Sequence, residues 1–421
     1  MAGNLVVGQS GGPTAVINAS LAGVIRAALA SSQIDRVLGA VDGSRGLLNE
    51  ELIDLGCEDA HTLGLLSQTP GAALGTSRLK LKEEHLDRLL SVFKAHDVRY
   101  FCMIGGNDSM DTAHKVEQLA KAQGYPLRVV GVPKTIDNDL GDEARTLIDH
   151  TPGYGSCARY WANLIRNVEE ENRAMRPSEC VSVLQAMGRD SGFITAAARL
   201  GDPGREFPLM LFLPEAGHSA EAVCDLISDG LRRRGRVIAV VPESLMTDAD
   251  SHKVDGFGHV EYGASKTTAA QTVVNLLNSR KLPVRGQATG QVPGVLQRCV
   301  SLEASDVDRE EAYELGRNAV QYALSGVSGR MATILRVSDA PYAVRYGHVP
   351  LEAVANAARR LPPDWVAPGG TDVTDGFIRY ARPLIGGVPA FMEVEDGLPR
   401  FARLNLSHLE KKLPAYTPCG F

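Results

Sequence analysis

Short apolar runs that end in glycine or charge, each followed by a helical pattern, recur along most of this 421-residue chain and set its fold class. Leu5-Val6-Val7 leads into Gln9-Ser10-Gly11-Gly12-Pro13-Thr14 and then into an apolar-periodic stretch from Val16 to Ala30, which reads as strand, glycine turn and helix. Further buried-strand runs lie at Arg36 to Val41, Tyr100 to Ile104, Val129 to Val132, Val181 to Ala186, Leu209 to Leu213 and Val237 to Val241. Helical patterns such as Glu84 to Ala95 and Met110 to Ala122 separate them. Wholly apolar strands that alternate with helices form mostly parallel sheets covered on both faces, so the chain is expected to be α/β. It is too long for one typical domain. A strand–helix series of its own runs from residue 149 to about 285, which predicts a second α/β unit facing the first, with the active site in the cleft. Leu361-Pro362-Pro363 and Pro368-Gly369-Gly370 mark residues 346–421 as a partly irregular C-terminal appendage of unassigned role.

Several function classes drop out on composition. A net charge of −6 and a pI near 6.0 argue against a general nucleic-acid binder, which needs a positive surface. Gly, Pro or charge interrupts every apolar stretch well before the roughly 18 residues that a membrane span requires. The N-terminus lacks a basic segment followed by an apolar one, and a cytoplasmic protein is expected. The seven cysteines are odd in number, scattered and free of any C-x-x-C, so they predict neither a disulfide framework nor a zinc site.

The chemistry concentrates in two segments, Gly105-Gly106-Asn107-Asp108-Ser109 and Pro133-Lys134-Thr135-Ile136-Asp137-Asn138-Asp139. Each follows a predicted strand, and loops at strand carboxyl ends are where parallel α/β sheets place ligands. Glycines let backbone N–H groups approach an anion, while the second segment gathers a lysine, a hydroxyl and two carboxylates. If that segment is extended, Thr135, Asp137 and Asp139 share one side. One carboxylate can then take a proton from an attacking hydroxyl while another holds Mg²⁺, the division of labour of metal-assisted phosphoryl transfer. A solvated acidic turn is the alternative. Gly11-Gly12 can bind phosphate at a helix amino end or serve only as a tight turn, and the Walker and dinucleotide fingerprints are both absent there. Met187-Gly188-Arg189, Pro242-Glu243-Ser244, Gln297-Arg298 and Arg78 add modest signals: arginine suits a sugar phosphate and glutamate accepts from sugar hydroxyls.

Taken in order from about residue 5 to 330, these motifs resemble the phosphofructokinase A family, with P-K-T-I-D-N-D the most specific element and G-G-x-D-S, M-G-R, P-E and Q-R in support. The resemblance implies two similar three-layer α/β domains with mostly parallel sheets and the active site between them. The first would comprise residues 1–148 with about 290–345 and hold the phosphoryl donor, and the second, 149–289, would hold fructose 6-phosphate. It implies phosphorylation of the C1 hydroxyl of that sugar, with Asp137 as general base, Thr135 and Ile136 at the sugar, and Met187, Gly188, Arg189 and Glu243 lining its pocket. Arg298 falls at the 6-phosphate. Gly11, Gly12, Arg78, Gly106 and Ser109 fall on the donor side. Mg²⁺ is the implied cofactor, with Asn107 and Asp139 as ligands, although Asn107 stands where many members have Asp.

Two positions bear on the donor. Members that use ATP carry glycines where this chain has Asp108 and Lys134, and an Asp–Lys combination there is the pattern of pyrophosphate-dependent members. The carboxylate repels an α-phosphate and the ammonium stabilises the departing phosphate. An ATP-dependent enzyme and a catalytically lapsed sugar-phosphate sensor are the competing readings. A homo-oligomer, dimer or tetramer, follows by analogy, with Arg173 and Arg176 near the segment that bacterial ATP-dependent members place at a subunit interface.

Overall fold

Side-chain alternation along the first strands decides the layering. The computed structural model describes all residues except 78, 80, 246–266, 356–357, 388–391 and 417–421. Leu5 and Val7 enter one core and Val6 another, and Tyr100, Cys102 and Ile104 are divided from Phe101 and Met103 in the same way. With period-2 side chains and both sets buried, this sheet needs cover on both faces. The Ile17–Leu29 and Asp306–Leu324 helices supply it on one side, and the Glu83–Ala95 and Asn107–Ala122 helices on the other.

The first sheet is built from β1 (Gly3–Gln9), β2 (Ile34–Ala40), β3 (Leu52–Asp54), β4 (Val98–Gly105) and β5 (Arg128–Pro133). A second sheet follows from β6 (Glu179–Ala186), β7 (Leu209–Leu211), β8 (Val237–Pro242) and β9 (Gln287–Gln291). The chain then returns to the first sheet as β10 (Arg330–Asp339) and β11 (Tyr342–Pro350). Strand orders are β11-β10-β5-β4-β1-β2-β3 and β7-β8-β6-β9. Within these two sheets all pairings are parallel except β2 with β3 and β10 with β11. The second sheet is also buried on both faces: Leu184 and Ala186 enter one core, Val181 and Val183 the other.

Two boundaries differ from expectation in ways that affect the site. The predicted helix from Met110 begins at Asn107, because the Gly106 carbonyl accepts from the N–H groups of Ser109 (3.0 Å) and Met110 (3.1 Å). Asn107, Asp108 and Ser109 thus form a helical first turn rather than a loop. The predicted run from Leu209 to Leu213 shortens to Leu209–Leu211, since Pro214 opens a helical turn.

The C-terminal stretch is irregular but not peripheral. Leu361, Trp365, Val373, Phe377, Tyr380 and Leu384 are buried in the core beneath the second sheet, while the N–H groups of Leu409, Lys412 and Leu413 bond to Leu52 and Glu50 beside the first. One segment therefore ties the two units together. The six described cysteines are unpaired, four of them buried. Among the described residues no helix is long and apolar enough to cross a membrane.

Candidate active site

Sheet register brings the sequence motifs together. Gln9 pairs with Ile104 and Gly105 with Pro133, so the carboxyl ends of β1, β4 and β5 lie side by side and their loops at 10–12, 106–109 and 134–139 share one rim. From β1 the chain runs outward to β2 and β3 on one side and then crosses back to β4 and β5 on the other, so the sheet has a switch point between β1 and β4, where a crevice opens. In the second sheet Ala186 pairs with Pro242, which aligns Met187-Gly188-Arg189 with Glu243. The two rims meet at Arg189. Burial works against its charge, yet Asp137, Asp139, Asp108 and Glu243 act on it together and hold its pKa above the usual arginine range. Its Nε lies 4.0 Å from an Asp137 carboxylate oxygen.

The first-sheet wall is built around Lys134. Its N–H donates to the Gly105 carbonyl (2.9 Å) and extends the β4–β5 ladder, while its ammonium donates to the Gly12 carbonyl at 2.6 Å. Burial first, and the neighbouring Arg298 guanidinium second, push the ammonium down to about 7, although Asp137 and Asp139 pull the other way. Gly12 permits this crowding: a Cβ there would lie 2.5 Å from Arg298 Nη1. Beside it, Asn107 Oδ1 is buried without a hydrogen-bond partner at the amino end of a 16-residue helix. Ser109 is buried behind Gly105.

In the loop after β5, Thr135 Oγ1 accepts from the Asp137 N–H at 3.1 Å. The loop is not extended throughout. Asn138 has φ +56°, which breaks the strict alternation expected for Thr135, Asp137 and Asp139. Its fully buried side chain explains the kink: Nδ2 donates to the Tyr380 hydroxyl at 2.8 Å, and Oδ1 accepts from Arg359 (2.7 Å) and the Thr151 N–H (3.0 Å). The Arg359 N–H donates to the Asp139 carbonyl at 2.7 Å. Burial, with the Asp137 charge added, pushes the Asp139 carboxyl up to about 6.

The second-sheet wall holds one buried acid. Glu243 Oε1 accepts from the N–H groups of Gly188 and Arg189, both at 3.1 Å, in a turn where Gly188 has φ +122°, a conformation that only glycine adopts without strain. Burial, then the Asp137 charge, push Glu243 up to about 7 despite those donors. Gln297 completes this wall: its Oε1 accepts from Trp161 Nε1 (2.9 Å) and from the Met187 N–H (3.0 Å).

Most residues singled out from sequence therefore converge. Arg78 lies outside the described residues. The Ile136 side chain is buried in the second-unit core, which leaves its backbone for the cleft. Arg298 stands against Gly12 on the first-sheet wall, nearer the expected donor end than its assignment to the 6-phosphate implied. Sequence reasoning left Asn138, Arg359 and Tyr380 without roles. Arg359 and Tyr380 lie 221 and 242 residues from Asn138, with no local motif around them.

Comparisons with known proteins identify the family. The family model described as Phosphofructokinase matches residues 4–323. The pyrophosphate–fructose 6-phosphate 1-phosphotransferase of Xanthomonas campestris pv. campestris is 41% identical, over 98% of this chain and 99% of its own length. The protein of the same name from Halomonas elongata is 38% identical over 98% and 99%. The crystal structure of the pyrophosphate-dependent phosphofructokinase from Nitrosospira multiformis superposes with a TM-score of 0.88 at 36% identity, covering 99% of this chain and all of that one.

Proposed function

The chain belongs to the phosphofructokinase family, and from that premise we infer that it transfers a phosphoryl group reversibly from pyrophosphate to the C1 hydroxyl of fructose 6-phosphate, giving fructose 1,6-bisphosphate and phosphate. The observation that carries the donor assignment is the first-sheet wall, where Lys134 is buried against Gly12 and Asp108 stands in the helical first turn beside it. A compact polyanion relieves the Lys134–Arg298 repulsion. ATP would have to put its α-phosphate and nucleoside where a carboxylate and a lysine stand.

In this reading Asp137 accepts the C1 hydroxyl proton as that oxygen bonds to the transferring phosphorus, and the bond to the departing phosphate breaks as Lys134 and Arg298 stabilise its charge. Thr135 and the Ile136 backbone hold the sugar near C1. Met187, Gly188, Arg189 and Glu243 shape its pocket. Gly11, Gly12, Gly106 and Ser109 form the phosphate cradle. The first-sheet unit, 1–148 with about 290–345, serves the donor and 149–289 the sugar.

Family members use a divalent metal, and we take it to be Mg²⁺. The residues present fit it: Asn107 Oδ1 is a buried hard-oxygen donor without a partner, and Asp108 and Asp139 stand close to the same rim. Among the described residues no group of three or more His, Cys, Asp or Glu is placed to hold a metal ion by itself. When bound, the ion neutralises charge on the transferring phosphoryl group. We further take the enzyme to be a cytoplasmic homo-oligomer, dimer or tetramer, with exposed Arg173 and Arg176 near one interface.

Asp108→Gly tests the assignment. Repulsion at a buried like-charge contact costs several kcal/mol, so its removal is expected to raise kcat/KM with ATP by at least about tenfold. ATP activity that stays at the wild-type level would refute the role given to Asp108.

A further inference from the structure

The described residues include a cavity of about 650 Å³ lined partly by segments beyond residue 323, where the family match ends. Four arginines line it: Arg145, Arg336, Arg345 and Arg379. Only one is neutralised within the cavity. Arg336 takes both nearby acids, Asp149 at 2.9 Å and Asp339 at 2.8 Å. Arg345 and Arg379 are exposed and form no ion pair among the described residues. Arg145 sits in the left-handed region at φ +58° with its guanidinium stacked 4.3 Å from the Trp365 ring centroid, and its Nε is buried without an acceptor.

Three guanidinium groups around one cavity, set against a single carboxylate that Arg336 does not already hold, are what a phosphate site needs, because arginine pairs with phosphate through two donors at once. The remaining carboxylate, Asp364, is exposed at the cavity wall with no ion pair of its own, and it would repel a bare anion while accepting from hydroxyl groups. That combination selects an ester that carries both phosphate and hydroxyls.

The cavity wall also reaches the catalytic loop. Arg145 lies 5.0 Å from the Tyr380 ring centroid, and Arg336 donates to the Tyr380 carbonyl at 2.8 Å. The Tyr380 hydroxyl accepts from Asn138, between Asp137 and Asp139, and donates to the Asp149 carbonyl. A ligand that draws Arg145 off the two rings changes the packing of the side chain that braces Asn138.

We propose that this cavity is a second ligand site, for a small polyhydroxylated phosphate monoester, and that its occupancy is transmitted to the catalytic loop through Tyr380. Calorimetric titration of the full chain with ribose 5-phosphate, 6-phosphogluconate and inorganic phosphate tests it, run in parallel on wild type and on Arg345→Ala/Arg379→Ala. Neither arginine belongs to the catalytic cleft, so the double variant is expected to keep wild-type kcat and KM when no ester is added. At least one ester should bind wild type with a component that weakens by about tenfold or more in the double variant, and should bind at least about tenfold more tightly than inorganic phosphate. The same ester should change the KM for fructose 6-phosphate by about fivefold in wild type and not in the double variant. Arg379→Glu, which reverses one exposed charge, should weaken the same component. Identical isotherms for wild type and both variants, or no ester binding at about 10 mM, would overturn the site. Inorganic phosphate binding as tightly as both esters in the component that the double variant loses would overturn the ester assignment, and binding that leaves KM unmoved would overturn the coupling.

Discussion

On the first-sheet wall of the cleft a lysine is buried beside an arginine and pushed down to about 7, whereas on the second-sheet wall a glutamate is buried opposite Asp137 and pushed up to about 7. Each wall of the unliganded site thus holds a group whose charged form is disfavoured, and the signs are opposite. The difference teaches how one cleft accepts two substrates without exchanging them. In the proposed mechanism a polyphosphate would bring negative charge to Lys134 and Arg298, while sugar hydroxyls would bring donors to Glu243. On that reading, binding on either side would restore the charged form of its own wall, and part of each substrate's affinity would come from relief of electrostatic strain already present.

The loop between the walls gives the largest expected effect. Asp137 lies 4.0 Å from Arg189 and acts on Glu243, Asp139 and Lys134, so it touches both electrostatic systems. Asp137→Ser is expected to lower kcat by about 10² to 10⁴, the usual loss for a general base, with folding unaffected. A near-normal kcat in a steady-state assay would remove Asp137 from the mechanism.

The next effect belongs to the brace behind the loop. Tyr380→Phe deletes the hydroxyl shared by Asn138 and the Asp149 carbonyl and leaves both buried groups short of a partner, a loss of about 1–3 kcal/mol in stability. Since Asn138 must hold a left-handed backbone, kcat should also fall, by about tenfold or less. Unchanged thermal unfolding together with unchanged kcat would show that the brace is dispensable.

The difference between the walls can be read from pH. Lys134 is lowered, so kcat/KM for pyrophosphate should fall as pH rises through about 7 and the ammonium is lost. Glu243 is raised, so kcat/KM for fructose 6-phosphate should fall as pH drops through about 7 and the carboxylate is lost. In kcat, read under saturating donor, the alkaline limb should lie at higher pH, because bound polyanion favours the ammonium. Limbs that respond identically to both substrates, or an alkaline limb that survives in Lys134→Gly, would contradict the division of the cleft into two walls.

How much of this was legible in the sequence depends on the range of the interaction. Seven strands and the rim loops were readable because apolar runs such as Tyr100 to Ile104 are local signals, and parallel register then carries Gly105 to Pro133 without further information, whereas β3, β9, β10 and β11 were not singled out. The catalytic loop was readable in composition but not in shape. Alternation predicted an extended segment through Asp139, whereas long-range bonds from Arg359 and Tyr380 hold Asn138 at positive φ. The C-terminal appendage read as irregular because its helix, Asp375–Ala381, is only seven residues long and carries no capping side-chain bond. Its buried Trp365, Phe377 and Tyr380 become meaningful only when the core they enter is known. Nor could spacing show that Arg298 would stand against Gly12, since that approach depends on how the two sheets face each other.

Donor choice tests the account most directly. In one coupled assay at fixed metal, pH and fructose 6-phosphate, kcat/KM should be measured for pyrophosphate and for ATP on the same wild-type preparation. A wall that sets Lys134 and Arg298 against a glycine turn, with Asp108 in the neighbouring helical first turn, predicts a preference for pyrophosphate of at least about 10³. Comparable kcat/KM for the two donors would contradict it.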